Sequence, residues 1–95
     1  MLSMIVSVLK RGAEEQIVHY SNDFNEHVGL SGSALRMLAV LRDEQGMRIG
    51  YMALYEGGVS DAACWLAQSP FYQAELYEQV NVHQCDIEIE RPAQT

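Results

Sequence analysis

Basic side chains are scarce and unevenly placed in this 95-residue chain. Six Lys and Arg stand against thirteen Asp and Glu, and none of the six lies between Arg48 and Arg91. That stretch holds Glu56, Asp61, Glu75, Glu78, Asp86, Glu88 and Glu90, so it carries the whole net charge of −7 while the rest of the chain balances. Affinity for nucleic acid comes mainly from cations set against phosphates, so no nucleic-acid partner is expected. Cysteine is scarce too. Cys64 and Cys85 are too few for a disulfide scaffold and form no CxxC or Cys/His zinc pattern. A reduced, cytoplasmic chain with no metal site is the expectation. Long hydrophobic runs are missing: the apolar start, residues 1–9, has no basic segment before it and is followed by Lys10-Arg11. It falls well short of the about 20 apolar residues that cross a bilayer and has no small-residue cleavage site, so neither membrane nor signal peptide is expected. No repeat, low-complexity tract or Pro/Gly-rich linker divides the chain. Residues 1–95 therefore read as one domain, with a loose tail at 91–95. At 48% hydrophobic and 20% charged residues the composition is that of a globular chain.

What is present is periodicity. Residues 2–9 are β-branched and aliphatic and read as a strand. From about Gly12 to Val28 the period becomes helical, with Ile17, Tyr20, Ser21, Phe24 and Val28 on one face and acids in the first turn, where the helix dipole favours them. Gly29 and Gly32 are expected to end that helix. Ala34–Leu41 is a second strand, Arg42–Gly46 a turn, and Arg48–Tyr55 a third strand. Gly57-Gly58 breaks it before a short helix over Ser60–Gln68, with Val59, Ala62, Ala63 and Leu66 at helical spacing. Ser69-Pro70 stops that helix, because the residue before proline is pushed out of the α region. After Phe71, Tyr72 and Tyr77, a long last strand is expected over Glu78–Glu90. Its apolar phase slips from even positions (Val80, Val82) to odd ones (Cys85, Ile87, Ile89), which asks for a bulge near His83-Gln84.

The order βαββαβ is that of the α+β, ferredoxin-like arrangement: an antiparallel sheet with both helices on one face. The helices cover only that face, yet the strands are apolar on both. The first places Leu2, Met4, Val6 and Val8 on one side and Ile5 and Leu9 on the other; the second sets Leu35, Met37, Ala39 and Leu41 against Ala34, Leu38 and Val40. An uncovered apolar face is not left in water, so a homodimer packed through that sheet face is expected.

Gly46, Ile49-Gly50, Glu56 and the run from Ala62 to Val82, including Ser69-Pro70-Phe71-Tyr72 and Glu78-Gln79-Val80-Asn81-Val82, resemble the YCII-related family, over about residues 46–90. The resemblance implies a dimeric α/β barrel with clefts between sheet and helices, and a His/Asp catalytic pair. The family's Asp before Pro is replaced here by Ser69, and its Gly after Ala by Glu75. The family histidine lies on the first helix; His19 is the match by distance to the next strand, with His27 the alternative.

The resemblance thus makes His19 and Ser69 the candidate catalytic residues, His19 as base and Ser69 orienting it. Serine carries no charge, so it makes a weaker base of the imidazole than a carboxylate does. A Ser/His nucleophilic pair is a further alternative, without an evident third member. On a helical wheel His19 falls away from Ile17 and Phe24, which also suits a solvent-facing side chain. The candidate binding residues are Ser7, Arg36, Tyr51, Tyr55 and His83. Ser3 and Ser7 are small and polar opposite Met4, Val6 and Val8, leaving space for a ligand or for a closely approaching helix. Arg36 suits either an anionic ligand or an edge strand guarded against further pairing. Tyr51 and Tyr55 share a face of the third strand. His83 sits at the expected bulge, aimed into a site or merely exposed. Trp65, off the apolar stripe of its helix, hints at a partner contact. No pattern asks for heme, flavin or another cofactor. Two function classes remain: an acid–base enzyme with a cleft for a small organic molecule, or a degenerate binding or scaffold subunit that kept the dimer. A monooxygenase of the same topology is a third reading with only the topology behind it.

Overall fold

Strict alternation of buried and half-exposed residues makes Leu2–Leu9 a strand, β1, with a neighbour on each side. In the computed structural model, which describes residues 1–91, β1 is followed by α1 (Glu14–Leu30), a 3₁₀ turn (Gly32–Ala34), β2 (Leu35–Arg42), β3 (Arg48–Glu56), α2 (Val59–Ala67), α3 (Pro70–Gln73) and β4 (Tyr77–Cys85). The expected loose tail, from residue 92 onward, lies outside the described residues. The four strands form one antiparallel sheet in the order β2-β3-β1-β4, with the helices on one face: the ferredoxin-like βαββαβ fold. No helix among the described residues is long and apolar enough to cross a membrane.

Helix α1 starts with Glu14 and Glu15 in its first turn and buries Ile17 and Phe24, seven residues apart, against the sheet. It runs through Gly29, where the sequence predicted its end, and the chain turns only at Gly32, which takes a positive φ of 60°. The Ser31 hydroxyl donates to the His27 carbonyl (2.8 Å) at that end. Proline acts twice around residue 70. It ends α2, as expected, and then opens the short α3 from the N1 position, where its missing N–H is no loss. Glu75 follows with φ 59°, a left-handed residue at the position where the YCII pattern carries glycine.

Two expectations about register are corrected. The last strand stops at Cys85 because β1, its only partner, runs out at Leu2, which faces Cys85. The irregularity in β4 lies at its start, between the Val8–Gln79 and Leu9–Tyr77 pairs, so no bulge forms at His83-Gln84. In β2 a bulge at Arg36 turns Leu35 to the helix side with Leu38 and Val40, leaving Met37, Ala39 and Leu41 on the open face.

The core lies between sheet and helices in two adjoining clusters. One gathers Leu9, Ala13, Ile17, Phe24, Tyr51, Phe71 and Leu76, the other Ile5, Ala53, Ala62, Trp65 and Leu66. Phe24 stacks on Phe71 at 4.3 Å between centroids and 9° between planes. Trp65, off the apolar stripe of its helix, is nevertheless buried within the chain: the C-terminal end of α1 folds over it, and its Nε1 donates to Ser31 Oγ. The other sheet face carries half-buried Leu2, Met4, Val6, Val8, Met52 and Leu54, with Met37 exposed and, among the described residues, no helix over it. Gly50 is required between the two central strands, since a Cβ there would stand 2.1 Å from the Ser7 carbonyl oxygen.

Candidate functional site

Period two in the two central strands sends Ser7 and Tyr51, cross-strand partners, to the helix side of the sheet. From the opposite layer Ser69, between α2 and α3, points inward, and Tyr77 enters from the start of β4. Together with Ile5, Phe24, Leu38, Ala53, Trp65 and Leu66 they line a narrow cavity of about 10 Å³, room for one water at most.

Ser69 is the unusual member. It occupies the N-cap position of α3, where a serine hydroxyl ordinarily accepts from a helical N–H, yet its side chain makes no cap bond. It is 1% exposed, and its Oγ finds no hydrogen-bond partner among the described residues. Ser7 is also buried. Burial pushes the Tyr77 phenol up to about 12; hydrogen-bond interaction with the Ser69 hydroxyl opposes the rise, Tyr51 adds to it, and Ser7 opposes it weakly. Neither serine meets full hydrogen-bond geometry to the phenol, so Ser69 Oγ stands beside Tyr77 as a weak contact and not as a formed bond. Tyr77 is therefore a proton donor throughout the neutral range. Tyr51 is likewise raised by burial, opposed by Arg48 and Arg42, and Arg48 Nη1 donates to its hydroxyl at 3.0 Å.

Of the residues singled out in the sequence, the structure brings Ser7, Tyr51 and Ser69 to one place. Tyr55 lies on the same face beside Trp65, at 5.9 Å between ring centroids. The other three are elsewhere. His19 is exposed on the outer side of α1, edge-on to Tyr20 at 4.8 Å, and does not meet the buried Ser69. Its helical phase explains this: positions 17 and 24 take the core face, and 19 lies well away from them. Arg36 stands exposed at the β2 bulge and pairs with Glu56 (3.0 Å), away from the cavity. His83 is exposed opposite Met4 on the uncovered sheet face, because β4 keeps its phase and Val80 and Val82 take the helix side.

The histidine that does approach the interior is His27. Its ring stacks on Trp65 at 4.7 Å and 26°, and its Nε2 is buried without a hydrogen-bond partner among the described residues. Desolvation lowers its pKa, opposed by the Trp65 backbone. The helical signal for it existed, since position 27 is three residues beyond Phe24. Tyr77 carried no such signal, because its inward aim depends on the register shift at the start of β4. Among the described residues no group of three or more His, Cys, Asp or Glu side chains is placed to hold a metal ion.

Neither a protein-family model nor a curated protein matches the chain in sequence. Solved structures do match in shape. One is 5-chloro-2-hydroxyhydroquinone dehydrochlorinase from Burkholderia phenoliruptrix AC1100, in complex with 2,5-dihydroxybenzoquinone. It is 14% identical, with a TM-score of 0.80 over 90% of this chain and 94% of that one. Another is the cofactor-independent oxygenase SnoaB of Streptomyces nogalater, 10% identical, with a TM-score of 0.61 over 95% of this chain and 97% of that one. At such identities the likeness speaks for architecture, and it supports the YCII resemblance at the level of fold: the chain has the ferredoxin-like fold of these small proteins.

Proposed function

We propose that this chain is a homodimeric, YCII-like protein that binds a small hydroxylated or quinonoid ring between sheet and helices, with Ser7, Ser69 and Tyr77 as its polar contacts. The observation that carries this reading is the buried Ser69 hydroxyl. A fold that leaves such a group without a partner forgoes about 1–3 kcal/mol of stability, and a ligand oxygen would supply the missing bond. Phe24, Trp65 and Tyr51 form flat walls suited to an aromatic ring. The cavity is too small for a ring at its present size, so binding requires Trp65, Leu66 and Ser69 to yield together, at the cost of a lowered apparent affinity.

Binding is favoured over acid–base catalysis because the cavity wall holds no His, Asp, Glu or Lys, and its Tyr77 stays protonated. The dimer is supported by the apolar, helix-free sheet face. The second reading, an acid–base enzyme, is favoured by one observation: His27, neutral at pH 7 and with Nε2 free, lies one aromatic layer from the cavity, where His19 does not.

Isothermal titration with 2,5-dihydroxybenzoquinone tests the binding reading. Ser69→Ala and Tyr77→Phe are each expected to weaken it about tenfold, the worth of one hydrogen bond to a charged or strongly polar oxygen. Absence of binding, or wild-type affinity in both variants, would refute it.

A further inference from the structure

Two of the chain's few cations face each other at the end of the β2–β3 hairpin. Arg42 and Arg48 are direct cross-strand partners, an arrangement in which like charges repel and destabilise the ladder. Neither has a carboxylate to relieve it: the one ion pair among the described residues joins Arg36 to Glu56. Asp43, next to Arg42 in sequence, turns its Oδ1 into the turn, where it accepts from the Gln45 and Met47 amides, both at 2.9 Å.

The two guanidiniums are instead held by neutral oxygens. Arg42 Nη1 donates to the Gly46 carbonyl at 2.9 Å, and Arg48 Nη1 to the Tyr51 hydroxyl at 3.0 Å. Each uses one donor of five and keeps the rest of its fork free. Between the hairpin and the first turns of α1 they border an open groove of about 340 Å³, whose other walls include Ile17, Val18, Met47 and the Glu14 carboxylate. Val18 and Met47 are 75% and 51% exposed, an apolar surface beside a concentrated positive charge on an otherwise acidic chain. Glu14 lies within the groove but forms no ion pair with either arginine.

We infer that this groove is a binding site for a small organic anion, an aryl carboxylate or a like oxyanion, with its oxygens between Arg42 and Arg48 and its ring on Ile17, Val18 and Met47. The chemistry is that of a planar, bidentate acceptor meeting two guanidinium forks over an apolar floor. An anion placed there turns the repulsion between the two strands into two attractions. The inference stands apart from the cavity, since no residue lines both; they are linked through Tyr51, which lines the cavity and whose hydroxyl accepts from Arg48.

The test uses the whole chain, ¹⁵N-labelled, titrated with benzoate and with neutral benzamide of the same shape. Benzoate is expected to shift the amides of Ile17, Val18 and the Arg42–Tyr51 hairpin, and to bind about tenfold tighter than benzamide. Arg42→Gln and Arg48→Gln should each weaken benzoate about tenfold, Arg48→Lys less, with the unliganded spectrum of Arg42→Gln changed only within the hairpin, where its bond to the Gly46 carbonyl is lost. Equal binding of benzoate and benzamide, no binding of benzoate, or full affinity in the Arg42→Gln protein would overturn the assignment. Shifts confined to Ser7, Ser69 and Tyr77 would overturn it as well, while favouring the cavity as the site.

Discussion

Replacing Ser69 by alanine is expected to stabilise this protein, the reverse of what the change does at an ordinary N-cap. A capping serine replaced by alanine loses about 0.5–2 kcal/mol. Ser69 makes no cap bond, and its buried Oγ has no partner in full hydrogen-bond geometry among the described residues. The folded state therefore carries the desolvation of a hydroxyl, about 1–3 kcal/mol, without the bond that offsets it. Removing the oxygen leaves a void of roughly 12 Å³, which at about 24 cal/mol per Å³ costs near 0.3 kcal/mol. The net gain is about 1–2.5 kcal/mol, or a rise in Tm of roughly 4–15 °C for a domain of this size. Urea denaturation and thermal melting of the two proteins measure it, with Ser31→Ala as the contrast. Ser31 Oγ accepts from Trp65 and donates to the His27 carbonyl, so its loss should destabilise by about 1 kcal/mol or more. A Ser69→Ala protein less stable than wild type would mean that the hydroxyl is satisfied in the folded chain, and the argument for a ligand oxygen at that point would fall with it.

Three further outcomes follow from the same structure. Gly50→Ala should destabilise by about 3 kcal/mol in denaturant melts, since its Cβ meets the backbone of Ser7 and Val8, whereas Gly29→Ala, with open space around it and a helical backbone, should gain about 0.5–1 kcal/mol; equal effects would refute the close approach. Folded His27 holds its proton less tightly than the unfolded residue, whose pKa is 6.5, so unfolding takes up a proton as the pH falls through that value. Stability is then full above it and declines below; denaturation at about pH 7.5 and 5.5 should show a slope that His27→Gln reduces. Val6→Arg, in the middle of the open sheet face beside Met52 and Asn81, should turn a dimer in sedimentation equilibrium into a monomer, weakening association about 100-fold or more. A wild-type monomer at micromolar concentration would remove the dimer from the proposal.

Local pattern was enough for most of the architecture. The alternation in Leu2–Leu9 and the helical spacing of Ile17 and Phe24 place the strand and helix, because side-chain direction repeats with fixed period along each element. The same periods put Ser7 and Tyr51 on the covered face and leave Met4, Val6 and Val8 on the bare one. Where a strand stops is a different kind of question. Residues 86–90 alternate as well as any strand, yet β4 ends at Cys85 because its partner is exhausted, and pairing is a property of two segments. The bulge at Arg36 reverses Leu35 for a like reason: the register was set against β3, not by β2's own pattern.

The candidate site divides along the same line. Seven residues were expected to share the chemistry, and only Ser7, Tyr51 and Ser69 converge, with Tyr55 beside them. Distance to the next strand favours His19, but helical phase sets it well away from Phe24, while His27, the alternative, stacks its ring on Trp65. What the amino-acid order determined alone is which sides of β1 and α1 are apolar, where the charge collects, and that one sheet face would lack a helical cover. Only the tertiary structure decided that Ser69 would be sealed in without a partner and that Arg42 would stand opposite Arg48 without a carboxylate. Those facts depend on distances between segments far apart in the chain, set by close packing across the core and by the ladder between β2 and β3.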